Sequence, residues 1–352
     1  MQILVRLSKK IKKSFRSYAL ALILSPERKV CTKMANFLGI THDFLQRFLA
    51  NYSLWLPIFP KLMFSIANFH AKEQSGYFVI DDTTMSKLFI KFLAGAYTIY
   101  NTAMGRPDRG FNLVVIAWSN GRVTIPLMFD WYFHKEIVGQ YFRTKTEVAI
   151  DLICKSRKKV PFSYILFDGH YSTIDMLKFL TKHNFSFVAK IPRNRKVAIK
   201  KIFDQIQNLQ QIKLVRNERN RATQALYHGM KLWFSVHKRL KRTGDYSFTY
   251  IVSNMKLDPK IYMKVYKQRW CIEEMFRTMK QSLGFAQCQS TKLEKQQAHI
   301  FSIFFSYSFL ETFKNDQKLK NPEAALKSLR KLKVPDATNS INAFGGNFQC
   351  FA

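Results

Sequence analysis

Residues 266–280, with the sequence YKQRWCIEEMFRTMK, form the stretch that decides the fold prediction. On an α-helix with 100° per residue, Tyr266, Arg269, Glu273 and Lys280 fall within an arc of about 60°. The adjacent arc is apolar and would pack against a sheet; it consists of Ile272, Met275, Met279 and Leu283. The pattern suits a metal-binding carboxylate surrounded by phosphate-binding groups. The alternative is an ordinary surface helix with an (i, i+4) Glu–Arg pair.

Two further acids follow short apolar stretches that indicate buried strands. Residues 76–80 (GYFVI) precede Asp81 and Asp82, and residues 163–167 (SYILF) precede Asp168. A carboxylate at the end of a central strand is rigidly held, which helps metal geometry. An aspartate in such a position is by itself more often a turn former, so only the three acids together carry an argument.

The chain around these acids predicts an α/β fold, with a mixed sheet and helices packed against it. An Asn-Gly pair at 120–121, between two apolar runs, is a strong hairpin signal. The other expected elements are helices at 145–158, 172–183 (capped by Ser172), 258–284 and 296–313, and strands at 185–190 and 247–253. The tail from Lys314 gives no clear pattern of helices or strands.

Residues 31–50 (CTKMANFLGITHDFLQRFLA) predict a helix-turn-helix around Gly39. Thr41 is a suitable N-cap for the second helix. That helix would direct Gln46 and Arg47, with His42 and Asp43, towards a DNA groove. An ordinary helical hairpin is the alternative. The basic residues 1–16 are either a solvated arm or an arm on phosphates.

The charge of the chain identifies its class of partner. It carries 57 Lys and Arg against 23 Asp and Glu, a net charge of +34. Such an excess favours nucleic acid, with an anionic membrane surface as the weaker option. No apolar run reaches the roughly 18 residues of a membrane span. Five scattered cysteines without a C-x-x-C pair argue against a zinc ribbon and indicate a reducing compartment.

Residues 191–242 differ from the rest, with fourteen Lys and Arg and only two acids, and they contain strand-like pieces. We interpret them as a basic, β-rich insertion. The expected organisation is an N-terminal helical region (1–70), two parts of one catalytic domain (71–190 and 247–313), the insertion between them (191–246) and a basic C-terminal tail (314–352).

The spacing Tyr266-x2-Arg269-x3-Glu273-x6-Lys280 resembles the Tyr-Arg-Glu-Lys motif of the insertion-sequence-4 family of bacterial transposases. The Asp-x-Thr context of Asp81 and the Asp-Gly-x-Tyr context of Asp168 are similar to those of the first two catalytic aspartates of that family. The resemblance covers about residues 76–285. It implies an RNase H-like fold, a DDE active site and a β-rich insertion before the last catalytic helix.

The resemblance also implies roles for individual residues. Asp81, Asp168 and Glu273 would be catalytic and would hold two Mg²⁺ ions, with Mn²⁺ able to substitute. Asp82 competes with Asp81 for the first position. The expected DNA-binding residues are Tyr266, Arg269, Lys280, Arg277, Trp233, Gln46 and Arg47. For Trp233, stacking on a flipped base competes with a simple place in the core. Trp270 is expected to serve helix packing.

The function implied is a cut-and-paste DNA transposase that binds terminal inverted repeats, nicks the element ends and joins the freed 3′ ends to target DNA. Two alternatives remain: a non-catalytic DNA-binding protein derived from a transposase, and an RNase H-like nuclease without strand transfer. The expected partners are double-stranded DNA and a second copy of the chain, without a membrane. The expected location is the bacterial cytoplasm, at the nucleoid.

Overall fold

The computed structural model describes residues 9–87, 93–101, 104–199 and 202–348. The first eight residues of the predicted basic arm and the last four of the tail lie outside them. The helices are α1 Lys9–Leu24, α2 Cys31–Leu38, α3 His42–Ala50, α4 Tyr52–Trp55, α5 Phe59–Ala71, α6 Lys135–Val138, α7 Lys145–Ser156, α8 Ile174–Lys182, α9 Pro259–Lys267, α10 Trp270–Ser282, α11 Leu293–Asp316, α12 Pro322–Lys331 and α13 Val334–Asn347. The strands are β1 Gly76–Ser86, β2 Tyr97–Asn101, β3 Arg106–Ser119, β4 Thr124–Tyr132, β5 Phe162–Phe167, β6 Phe187–Lys190, β7 Lys196–Ile199, β8 Ile202–Gln205, β9 Asn220–Tyr227, β10 Met230–Leu240 and β11 Tyr246–Ser253.

The core of the fold is a mixed sheet in the order β4-β3-β1-β5-β6. β1, β3 and β4 form an antiparallel meander, and β5 and β6 run parallel to β1. The predicted hairpin around Asn120 and Gly121 joins β3 to β4, and Gly121 adopts the positive φ of 84° that such a turn requires. The α/β prediction is confirmed, and the arrangement is consistent with an RNase H-like superfamily.

β1 is longer than the apolar run that predicted it. Residues 76–80 are all buried, but the strand continues to Ser86 because β3 pairs with it along that length. β5 stops at Phe167, opposite Ile80. Asp81 and Asp82 therefore lie inside a strand, at the level where its parallel partner ends.

The basic insertion extends the same sheet. β11 pairs with the outer edge of β6, and β10, β9, β7 and β8 follow in that order, which gives eleven described strands. This pairing covers the edge that β6 would otherwise leave open. The segment contains strands β7 to β10, and it lies within the same sheet as the strands next to Asp81 and Asp168.

The N-terminal helices pack around α11, in which every residue from 298 to 312 is buried. α1, α4 and α5 contribute Phe15, Trp55 and Phe59 to an aromatic cluster that reaches Phe305. α2 and α3 are two helices joined at Gly39, which has a φ of 64°, and this arrangement is compatible with a helix-turn-helix as well as with an ordinary helical hairpin. No helix among the described residues has the length and apolar character to cross a membrane.

Three local predictions are corrected. The tail contains two helices, α12 and α13, whose apolar faces are buried. The cap of α8 is Thr173, whose hydroxyl accepts the Met176 amide, whereas the Ser172 hydroxyl donates to the carbonyls of Gly169 and Lys190. The helix expected at 258–284 is divided into α9 and α10 by a tighter turn with i→i−3 hydrogen bonds.

Candidate active site

The first two acids lie side by side on the sheet. Ile80 of β1 is in register with Phe167 of β5, so Asp81 and Asp168 come next on adjacent parallel strands, with a spacing of about 4.8 Å between strands. The Asp168 charge raises the pKa of Asp81, in keeping with two carboxylates that lie near each other. The strand pairing thus brings together two residues that are far apart in the chain.

Helix α10 brings the third acid to the same place. Its apolar face is fully buried, with Ile272, Met275 and Met279 in the core as expected. Arg269, at the N-terminus of this helix, joins the acids. Its Nη1 donates to Asp81 Oδ2 at 2.7 Å and its Nη2 donates to Glu273 Oε1. One guanidinium therefore bridges Asp81 and Glu273.

Asp82 has different partners from its neighbour. Its Oδ2 accepts a hydrogen bond from Lys145 Nζ at 2.6 Å, and its Oδ1 accepts one from the Tyr171 hydroxyl at 3.2 Å. Successive side chains of a strand point to opposite faces, which accounts for the separation. The bridge to Glu273 thus involves Asp81, while Asp82 is already neutralised by Lys145.

Burial dominates the electrostatics of Asp81. It raises the pKa of this carboxyl to about 6; the Arg269 charge lowers the pKa and the Asp168 charge raises it. Burial also raises the pKa of Tyr266, so this phenol stays protonated and can donate a hydrogen bond. The site therefore concentrates negative charge in a partly dehydrated region, and a cation there is favoured.

A wide basic groove opens beside the acids, with a volume of about 980 Å³. One wall comes from the insertion strands β9 to β11, and the other from α9 and the start of α10. Among the described residues that line the groove, Glu273 is the single acid. Its Lys and Arg residues are Lys190, Arg219, Lys238, Arg239, Lys260, Lys267 and Arg269. Such a concentration of positive charge beside the acids suits a polyanionic backbone.

The other residues of the predicted helix stripe lie around this region. Tyr266 lines the groove, and its ring centre is 5.9 Å from the Arg269 guanidinium carbon. The Lys280 ammonium is within electrostatic range of both Asp82 and Asp81. Arg277 is exposed and lies 3.7 Å from Glu274. The turn between α9 and α10 does not separate the four motif residues.

The structure does not bring Trp233 to the acids. β10 pairs with β11, and Ser235 is opposite Ile251. Ile251 is in turn opposite Lys190 of β6, which lies at the edge of the sheet beside the acids. Trp233 lies two residues further from this edge, half-buried, and the Lys256 ammonium is 5.8 Å from its ring centre. Its place favours the core alternative over base stacking.

The helix-turn-helix residues form a separate surface. Gln46 and Arg47 are exposed on α3, as are His42 and Asp43. Gln46 also lines a smaller cavity of about 340 Å³, which reaches Lys292 and Lys295 at the start of α11. The predicted outward face of α3 is thus solvent-accessible, and it lies apart from the three acids.

Sequence reasoning missed three residues of the site. The expectation that Trp270 serves helix packing is wrong, because its side chain is 55% exposed and lines the groove. The helical spacing could have shown this, since Trp270 lies about 100° from Arg269, on the side away from the apolar arc. Lys145, one partner of Asp82, gave no local signal, whereas Tyr171, the other partner, belongs to the Asp-Gly-x-Tyr context of Asp168 but was assigned no role.

The donor set is compatible with a divalent cation. Hard cations prefer carboxylate oxygens, and Asp81, Asp168 and Glu273 supply them at one edge of the sheet. The guanidinium between Asp81 and Glu273 shows that this position already accommodates positive charge. Within the described ranges, however, no three acidic, His or Cys side chains are close enough together to hold an ion in the present arrangement.

Comparisons with known families agree with this geometry. Residues 143–309 match the transposase DDE domain, and residues 5–207 match the DDE superfamily endonuclease model. Asp81 and Asp168 fall within the second match, and Asp168 and Glu273 within the first. No curated protein matches the chain. Because the second match covers more than half of the sequence, the chain belongs to the DDE superfamily of transposases and endonucleases.

Proposed function

We propose that the protein is the transposase of an insertion sequence of the insertion-sequence-4 type, with Asp81, Asp168 and Glu273 as its catalytic acids. The observation that carries this proposal is the Arg269 bridge between Asp81 and Glu273, with Asp168 on the neighbouring chain segment, beside a groove whose described lining includes seven Lys and Arg residues. An acidic site alone would fit many metal enzymes, but its position at a basic groove selects a nucleic acid as substrate.

Each acid has a defined part in the proposed chemistry. Asp81, Asp168 and Glu273 would hold divalent ions, Mg²⁺ or Mn²⁺, which when bound activate the attacking oxygen and stabilise the leaving oxygen of a phosphodiester. The chain itself fixes the positions of the acids, since Asp81 lies within β1, Asp168 directly follows the adjacent β5, and Glu273 lies on a helix anchored in the core. Rigid elements of this kind hold a site to the accuracy that catalysis requires.

The groove would hold the DNA strand to be cut. Arg269, with its planar fork, and Lys280, as a point charge, suit phosphates next to the acids. The protonated Tyr266 hydroxyl can donate to a phosphate oxygen, and Arg277 adds charge on the exposed side of α10. Trp270 offers an exposed aromatic face on the groove wall, where a base can stack.

The N-terminal helices would recognise the element ends. The exposed Gln46 and Arg47 on α3 have the place of base-contacting residues in a helix-turn-helix. Each proposed domain would have its own role. Residues 1–70 would recognise the DNA ends, residues 71–190 and 247–313 would carry the chemistry, and residues 191–246 would bind the DNA backbone. Two copies of the chain, each with one DNA end, would form the synaptic complex.

The test is metal-dependent cleavage and joining of a DNA duplex that carries the inverted repeat from the flank of the gene. We expect Asp81→Ala, Asp168→Ala and Glu273→Ala each to abolish nicking with Mg²⁺ or Mn²⁺. Glu274→Ala is the matched control, since Glu274 is exposed on the same helix and should leave nicking intact.

The same assay separates the alternatives. Loss of nicking in Asp82→Ala but not in Asp81→Ala would transfer the first catalytic position to Asp82. Nicking without any joined product would identify a nuclease. Binding of the repeat without any metal-dependent nicking by the unmodified chain would identify a DNA-binding protein and refute the transposase proposal.

A further inference from the structure

Two roles compete for the side chain of Arg269, namely binding a DNA phosphate and pairing with the acids. The proposed function assigns it to a DNA phosphate, yet both terminal nitrogens of its guanidinium donate to carboxylates, one to Asp81 and one to Glu273. The side chain is only 14% exposed, so it is turned into the site. With both terminal nitrogens engaged by carboxylates, the guanidinium would have to leave them to offer its paired terminal N–H groups to a phosphate in the groove.

The position of the Arg269 guanidinium overlaps with the proposed metal site. A cation held by Asp81 and Glu273 would need the oxygens that the guanidinium now engages. Two positive groups cannot occupy this small, partly buried region, because their repulsion is strong where water is scarce. Among the described residues no three metal-type ligands converge as the site stands, in agreement with an arrangement in which Arg269 fills the centre.

We propose that Arg269 is an internal substitute for the metal ion, which it excludes until the ion or a DNA phosphate displaces it. The inference rests on the proposed function and adds to it a coupling between metal binding and DNA binding. When a divalent cation takes the two carboxylates, the guanidinium is released to the groove. When a phosphate attracts the guanidinium, the carboxylates are released to the cation.

The local structure allows this exchange. Arg269 lies at the turn between α9 and α10, where the hydrogen bonds change from the helical pattern to i→i−3. It also lines the groove, so a rotation of its side chain suffices to reach a backbone there. Because binding free energies are linked, DNA must tighten metal binding by the factor by which metal tightens DNA binding.

The experiment measures Mn²⁺ binding to the full chain by the electron paramagnetic resonance signal of the free ion, without DNA. In Arg269→Gln the competing charge is absent, and we expect the Mn²⁺ dissociation constant to fall by roughly tenfold or more. Arg122→Gln is the matched control, an exposed arginine in the turn between β3 and β4, and should bind Mn²⁺ as the unmodified chain does. Arg269→Lys keeps the positive charge and should show at most a small change.

A second series adds a short mixed-sequence DNA duplex. The duplex should tighten Mn²⁺ binding to the unmodified chain and have little effect on Arg269→Gln, which has no guanidinium to release. Unchanged or weaker Mn²⁺ binding in Arg269→Gln would overturn the inference. If Gln at this position prevents folding, tighter Mn²⁺ binding to the unmodified chain on addition of DNA supports the inference, and its absence overturns it.

Substitution of an acid shows which proposal has failed. Asp81→Asn and Glu273→Gln should each weaken Mn²⁺ binding if the proposed site is right. Weaker binding in these variants together with no gain in Arg269→Gln would refute the role of Arg269 and leave the proposed site in place. No effect of either acid substitution would refute the site itself.

Discussion

A buried lysine joins the strand that carries the first acid to the connection after α10. Lys87 directly follows β1 and is 3% exposed. Its ammonium donates to the carbonyl oxygens of Ala286 and Cys288, both at 2.9 Å, and to Gln296 Oε1 at 2.8 Å. We predict that Lys87→Met changes the pH dependence of stability in a specific way.

The magnitude follows from the burial of this ammonium. Burial lowers the pKa of Lys87 from 10.5 to about 8; the Cys288 charge raises it and the Arg28 charge lowers it. In the unfolded chain the lysine keeps its ordinary value. Between pH 8 and 10.5 the unfolded chain therefore binds more protons than the native protein, so stability rises with pH in this window. At 1.36 kcal/mol per pH unit, the free energy of unfolding should rise by about 3 kcal/mol across this window.

The assay is urea unfolding of the original chain and of Lys87→Met at several values between pH 7 and 10.5. The difference between the two removes the contribution of all groups that titrate in both. Relative to the variant, the original chain should gain about 3 kcal/mol in free energy of unfolding from pH 8 to 10.5 and nothing below pH 8. Lys155→Met, at an exposed site, is the control for the loss of a lysine outside the core. A constant difference for Lys87→Met would refute the reasoning.

Three further predictions concern stability and DNA binding. Gly110→Ala should destabilise the protein by about 1–3 kcal/mol in chemical unfolding, because the new Cβ would lie 2.2 Å from a carbonyl oxygen of β1. Gly346→Ala should stabilise it by about 0.5–1 kcal/mol, because the new Cβ on α13 would meet open space. Equal effects of the two substitutions would contradict this reasoning. Thr144→Ala should cost about 1 kcal/mol, since its hydroxyl belongs to a capping box, and Thr41→Ala only a few tenths, since it makes no side-chain cap hydrogen bond; thermal unfolding of both checks the order. Arg239→Gln should lower the slope of log affinity for DNA against log salt by about one, and an unchanged slope would remove this residue from the phosphate contacts.

Local patterns in the sequence determined the elements of the fold and the candidates for the site. The apolar runs before Asp81 and Asp168 are strands, and the Asn-Gly pair at 120–121 is a hairpin. The stripe on α10 could be derived because a helix places residues at fixed angles. In each case the information lies within a few turns or one strand, and burial of one face repeats with the period of the element.

Only the tertiary structure decided how these elements meet. β1 extends to Ser86 because β3 lies beside it, and the insertion joins the sheet because the edge of β6 is free to pair. The tail shows a different lesson, because α12 packs mainly against α11, the helix directly before it, and its Asn321 cap and the proline at its first turn were local signals that our prediction did not use.

The same limit applies to the site. The sequence placed Arg269 next to Glu273 on a helix, but the bridge to Asp81 depends on the packing of α10 against β1. Likewise, the contrast between Asp81 and its neighbour Asp82 depends on Lys145 and Tyr171, which belong to other elements. Periodicity specifies which face of an element is buried, whereas the identity of the partner across an interface depends on long-range contacts that no local pattern contains.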